Sequence, residues 1–188
     1  EFHFLMTNQK GFTLWLTGLS GSGKTTIANR LNQRLKDFGF LNIEILDGDS
    51  VRQDLSKDLG FSRQDRITNM KRVGFVCNLL TRNNVVVITA LISPFREIRD
   101  EIRKNGKNFV EVYVKCSFKE CERRDTKNMY SRARLGQLTN FTGIDSPYEP
   151  PSNPEVICET EHESEDQSVN KIIQKLKTLK YIPVKSET

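Results

Sequence analysis

The chain is short of the residues that small folds use for covalent or metal support. Its 188 residues include four cysteines and two histidines. Cys77, Cys116, Cys121 and Cys158 form no C-x-x-C pair, and His3 and His162 are the only imidazoles available to them. Zinc sites and disulfide frameworks are therefore excluded, and reduced, mostly buried thiols in a cytoplasmic setting are expected. Long hydrophobic runs are missing too. The longest, VVVITALI over residues 85–92, falls far below the roughly 20 residues that a bilayer span needs. No basic-then-apolar leader opens the chain, so neither membrane attachment nor export is expected. The opening EFHFLM reads as an added extension running into a natural start at Met6, with residues 7–188 as one domain. Internal repeats and low-complexity tracts are also missing.

A chain of this length can close one sizeable core. Its net charge of +5 and pI near 9.0 point to an anionic partner, either nucleic acid or a polyphosphorylated small molecule. Strand-like runs fall at residues 12–17, 42–46, 85–91, 109–115 and 155–158, each separated from the next by helical periodicity. Ile27, Leu31, Leu35 and Phe38 share one helix face, which stops at Gly39. Met70, Val73, Cys77 and Leu80 make a second stripe, and Val169, Ile172, Ile173 and Leu176 a third. The strands are apolar nearly throughout instead of alternating, which predicts a parallel sheet covered on both faces. The expected fold class is a three-layer α/β domain with a mostly parallel five-stranded sheet.

Two segments break this rhythm. Residues 130–154, rich in proline, glycine and arginine, are too long for an ordinary connection and read as a working lid, whose bounds extend to about 123–154. The acidic ETEHESED at 159–166 reads as a solvated loop before the last helix, with Ser164 and Gln167 as a capping box. No function is assigned to it.

The strongest motif follows the first strand. GLSGSGKTT satisfies G-x-x-x-x-G-K-[ST] between a strand and a helix, the setting its mechanism requires. Gly18, Leu19, Ser20, Gly21, Ser22, Gly23, Lys24, Thr25 and Thr26 are accordingly the candidate ATP-binding residues. Main-chain N–H groups and the helix N-terminus would cradle the phosphates, Lys24 would reach the β and γ groups, and the Thr25 hydroxyl would hold Mg²⁺. The chain has no NKxD or DxxG, and its Val85–Leu91 run ends without an aspartate. Switch and motor ATPases therefore lose ground to a small-molecule kinase.

Further candidates lie at strand C-termini, where open α/β sheets build their sites. DGDSVR puts Asp47, Asp49 and Arg52 after the second strand. One aspartate could orient an acceptor hydroxyl and the other could serve the metal's water shell, although an aspartate-rich turn that only caps the next helix is the plainer reading. Phe61 sits in a polar loop, where an aromatic ring could stack on a base. Arg66 and Asn69, three apart, share a helix face. ISPF follows the third strand.

Taken in order, WLTGLSGSGKTT, DGDSVR, LGFSRQDR followed by Asn69, ISPF, and NFTGIDSPYEPP closely resemble the adenylylsulfate kinase family from about Lys10 to Tyr181. The resemblance implies a nucleotide-kinase-like sheet and transfer of a phosphoryl group from Mg-ATP to the 3′-hydroxyl of adenosine 5′-phosphosulfate (APS), giving 3′-phosphoadenosine 5′-phosphosulfate (PAPS). It implies catalytic roles for Lys24, Asp47, Asp49 and Lys127. It also implies APS contacts from Asp49, Arg52, Arg66, Asn69, Ile92, Ser93, Lys127 and Asn140, and an adenine held between Phe61 and Phe141. Ser93 carries the family's phosphoserine assignment, although direct in-line transfer needs only alignment and charge neutralisation. Arg123, Arg124, Arg132 and Arg134 are further lid cations. The sequence departs from the family in DTKNMY, where relatives have DPKGLY, and in Phe75, where they often carry glutamate.

The partners expected are thus ATP and APS, without nucleic acid or membrane, and a homodimer is left open. A kinase for shikimate, gluconate or a nucleoside would share the loop and the sheet but leave the paired phenylalanines, ISPF and FTGID unexplained. A basic nucleotide-dependent nucleic-acid binder would need a lysine- and arginine-rich face, whereas many of the cations here fall inside the motifs above. A non-catalytic descendant of a kinase would have little reason to keep Lys24, Thr25, Asp47 and Asp49 together.

Overall fold

The computed structural model describes residues 9–183, so the expected start at Met6 and the residues ahead of it lie outside the described part. Five strands, β1 (Thr13–Thr17), β2 (Ile43–Asp47), β3 (Val86–Ala90), β4 (Phe109–Lys115) and β5 (Val156–Glu159), form one sheet in the order β2-β3-β1-β4-β5. Every pairing is parallel. Helices α1 (Lys24–Asp37), α2 (Gly48–Gln53), α3 (Arg63–Thr81), α4 (Arg96–Asn105), α5 (Phe118–Arg124), α6 (Met129–Arg134) and α7 (Glu165–Thr178) connect them.

β1 shows why the sheet must be covered twice. Leu14 and Leu16 pack with Ile27, Leu31 and Leu35 of α1 and with Val169, Ile172, Ile173 and Leu176 of α7. Trp15, pointing the other way, packs with Met70, Val73 and Cys77 of α3 and with Ile98 and Ile102 of α4. All five β1 residues are buried, which accounts for a strand without polar alternation. The three helical stripes expected from periodicity therefore supply both outer layers. α1 stops at Phe38, whose N–H donates to the Arg34 and Leu35 carbonyls, and Gly39 closes onto Lys36. The Ser164–Gln167 capping box is present at α7, and an equivalent one, Ser62 with Asp65, starts α3.

The chain goes from β1 to β2 at one edge, returns through β3 to the side of β1, and then crosses to β4 and β5 on the other side of β1. The strand order thus reverses around β1, and a crevice opens beyond its C-terminal end. Residues 116–144 do not join the sheet. They fold over that end around a third apolar cluster of Cys116, Cys121, Tyr130 and Phe141. The expected lid (123–154) is therefore, as far as residue 144, an ordered layer with its own small core, and residues 145–154 return from it to the sheet.

Leu31 is fully buried between the sheet and α7, whereas Leu41 is 62% exposed beside β2. Leu31→Ala is expected to cost about 2–5 kcal/mol in urea denaturation, and Leu41→Ala less than about 0.5 kcal/mol. Equal losses would contradict this layering.

Candidate active site

A cleft of 720 Å³ lies along the C-terminal edge of the sheet. One wall is the loop between β1 and α1. Its carbonyls are held from outside: Tyr130 Oη donates to Ser20 at 2.9 Å, Thr160 Oγ1 to Ser22 at 2.7 Å, and Arg124 Nη1 to Gly21 at 3.5 Å. Gly21 and Gly23 take φ values of 76° and 101°, which turn the loop into the helix, and α1 starts without a side-chain cap. An uncapped helix start beneath such a loop is a ready anion seat. Gly18 lies against β4, where a Cβ would fall 2.4 Å from the Val114 carbonyl oxygen.

Lys24 is 8% exposed, and its Nζ donates to the Leu19 carbonyl at 2.7 Å. Burial, reinforced by nearby Lys127, pushes its ammonium down from 10.5 to about 8 against the opposing pull of Asp47 and Asp49. Thr25 Oγ1 donates to Asp47 Oδ2 at 2.8 Å, while Asp47 Oδ1 accepts the Asp49 N–H at 2.9 Å and caps α2. Asp47 is thus the helix cap that the plainer reading expects, and it is also a neighbour of the loop threonine. Across the cleft Lys127 forms an ion pair with Asp49.

The far end carries a different set of groups. Phe61 is 51% exposed and flanked by the guanidiniums of Arg52 and Arg66, 4.8 and 5.5 Å from its ring centre. Arg52 Nη1 donates to the Gly60 carbonyl at 2.6 Å; Arg66 Nε donates to Phe61 at 3.0 Å, and its Nη2 to the Asn140 carbonyl. Burial and the adjacent Arg52 charge lower the pKa of Arg66. Asn69, 6% exposed, also lines the cleft, and its Oδ1 lacks a hydrogen-bond partner among the described residues. A buried amide oxygen in that state suits a donor arriving with a ligand.

Ile92 and Ser93 line the cleft between the two ends. The Ser93 hydroxyl is buried and accepts from Trp15 Nε1 at 3.0 Å. Gly18, Leu19, Ser22, Asn140 and Phe141 are not on the cleft wall. The Phe141 ring is buried in the lid cluster, edge-on to Tyr130 with ring centres 4.9 Å apart, and off the cleft wall that Phe61 lines. Of the departures from DPKGLY, Asn128 takes φ 52° at the start of α6. Asparagine is among the few residues that enter this region readily, so the loss of glycine there is accommodated.

The acidic segment is not merely solvated loop. Thr160, Glu163 and Glu165 line the cleft, and Thr160 also holds the phosphate loop. Their signal was positional, because Thr160 immediately follows β5 at the same sheet edge. Among the cysteines, burial raises the thiols of Cys121 and Cys158 to about 12 and that of Cys77 further, so all three stay protonated.

A strand–loop–helix phosphate cradle, with an aromatic and arginine-lined subsite in the same crevice, defines a P-loop kinase acting on a small molecule. A model of the adenylylsulphate kinase family matches residues 10–159. The adenylyl-sulfate kinase of Rippkaea orientalis is 56% identical over 174 residues, 93% of this chain and 96% of that protein. That of Gloeothece citriformis is 55% identical over 174 residues, 93% and 98% of the two chains. The Mycobacterium tuberculosis APS kinase solved with AMPPNP and APS superposes with a TM-score of 0.85 at 40% identity, over 90% of this chain and 99% of that one. The chain belongs to the adenylylsulphate kinase family.

The depressed Lys24 value has a consequence for stability. Unfolding takes up a proton between about pH 8 and 10.5, so the contribution of Lys24 to stability rises with pH over that window. Lys24→Met is expected to be more stable than the parent at pH 8 and below, with urea midpoints converging towards pH 10.5. A gap independent of pH would rule out a buried charge.

Proposed function

We propose that this chain transfers the γ-phosphoryl group of ATP to the 3′-hydroxyl of APS, giving PAPS and ADP. The observation that carries the reading is one continuous cleft with a phosphate cradle at one end and a half-exposed Phe61 beside two arginines at the other. The first end suits a nucleoside triphosphate. The second suits a purine ring attached to a doubly anionic phosphosulfate.

ATP would lie with its β and γ phosphates against the loop amides and Lys24, while the acceptor ribose faces Asp49 and Lys127. Lys24 and Lys127 hold positive charge where the equatorial oxygens of the transferring group gather charge. Asp49, paired with Lys127, would accept or orient the 3′-hydroxyl proton once Lys127 turns from it to phosphate. The Thr25 hydroxyl and the Asp47 carboxylate, 2.8 Å apart, form a hard oxygen pair that suits Mg²⁺ held together with substrate phosphates. Bound there, Mg²⁺ would neutralise charge on the β and γ oxygens. Asn69 Oδ1 would accept from the acceptor base. Ser93 is assigned to turning the chain at the cleft wall, because its hydroxyl is buried and bonded to Trp15 instead of facing a phosphoryl group. Buried, protonated thiols fit a reducing, cytoplasmic setting.

Incubation with Mg-ATP and a panel of acceptors, read by mass spectrometry, is expected to yield PAPS; phosphorylation of shikimate or gluconate but not APS would overturn the reading. Lys127→Ala is expected to lower kcat by on the order of 10³-fold with the fold intact. Phe61→Ala is expected to raise KM for APS by about tenfold or more and leave KM for ATP near its parent value, since a stacking contact is worth about 1–3 kcal/mol. Equal changes in both KM values would remove Phe61 from the acceptor site.

A further inference from the structure

The loop between β3 and α4 is held in a shape it would not keep unaided. Ser93, on the cleft wall, has φ 41°, in the left-handed region that serine seldom enters. Its restraint comes from behind the wall. Arg99 on α4 is 1% exposed and makes a three-way fork. Nη1 donates to the Ser93 carbonyl at 2.6 Å, Nη2 to the Glu149 carbonyl at 2.6 Å, and Nε to Glu111 Oε1 at 2.8 Å. Glu111, 3% exposed in β4, balances the guanidinium and also accepts from Arg103 at 3.0 Å. Glu149 belongs to the segment returning from the lid, and its N–H donates to the Pro94 carbonyl at 2.8 Å.

We propose that Arg99 is a positioning residue for the acceptor half of the cleft, locking the Ser93 turn to the chain that returns from the lid. This rests on the acceptor assignment made above. A guanidinium suits the task because its donors diverge in one plane towards three fixed acceptors, a geometry a single ammonium does not reproduce. None of the three bonds reaches the phosphate loop, so the ATP half keeps its shape when the fork is lost. Ile92, Ser93 and Pro94 line the cleft, so a small shift of this turn moves the acceptor's wall directly.

Arg99→Lys keeps a cation beside Glu111 while giving up part of the fork. It is expected to raise KM for APS by about tenfold and to change KM for ATP less than twofold, because misplacement acts on the half of the site that moves. A second readout needs no substrate. Trp15 is the only tryptophan, and its indole N–H donates to Ser93 Oγ, so its emission reports the turn itself and is expected to shift in Arg99→Lys. Arg103→Lys, which also leaves a cation beside Glu111 but alters no bond to Ser93 or Glu149, is expected to leave both KM values near the parent's; its guanidinium lies over Phe109 beside Trp15, so it serves as a kinetic control only. If Arg99→Lys fails to fold, Glu111→Gln loosens the same anchor and is expected to give the same split to a smaller degree. Parallel rises in both KM values, or parent-like APS binding with unshifted Trp15 emission, would overturn the proposal. Parent protein that makes no PAPS would overturn the function proposed above, and the Trp15 emission would still test the restraint on Ser93.

Discussion

A positive charge enclosed by main chain is the constraint on which the working edge of this molecule depends. Lys24 is buried at the start of α1, and its nearest acceptor is a carbonyl of the loop that carries it. Such a group is poorly solvated, so an arriving polyanion gains more from it than from a surface lysine. The surroundings serve this arrangement. Tyr130, Arg124 and Thr160 hold the loop carbonyls from outside, and these three come from the lid, its root and the turn after β5. The phosphate cradle is therefore assembled from distant parts of the chain, although its motif is contiguous.

That contrast explains what could be read from sequence. All five strands lie within a residue or two of where apolar runs put them, because a sheet buried on both faces leaves an unbroken signal. The phosphate loop, the aspartates at the end of β2 and the Arg66–Asn69 pair were legible because each depends on local spacing along one turn or one helix face. Thr160 was hidden in an acidic stretch, since its role comes from sheet position and not from its neighbours. Phe141 illustrates the opposite limit: a motif identified the residue, but the apolar cluster around Tyr130 determines where its ring rests.

The buried ionic network was not read at all, although it left a trace. FVEVYVK places one glutamate inside an interior strand that carries no other charge before its terminal lysine. A carboxylate there demands a cation, and the FREIRDEIRKN segment ahead of it offers Arg99 and Arg103 at helical spacing. Pairing them from sequence would have required knowing that α4 packs beside β4. The same knowledge would have tied the loop after β3 to the chain beyond the lid, which no local pattern connects.

The contacts of Asp47 and Asp49 carry one more consequence. These carboxylates engage Thr25 and Lys127, the two groups proposed above to meet Mg²⁺ and phosphate. The cleft is thereby its own counterion. A stray inorganic anion must compete with tethered carboxylates at high effective concentration, while a ligand with several charged groups can displace both at once. Such internal pairs would favour long, multiply charged ligands over small anions, at some loss of affinity when the pairs are exchanged for the ligand.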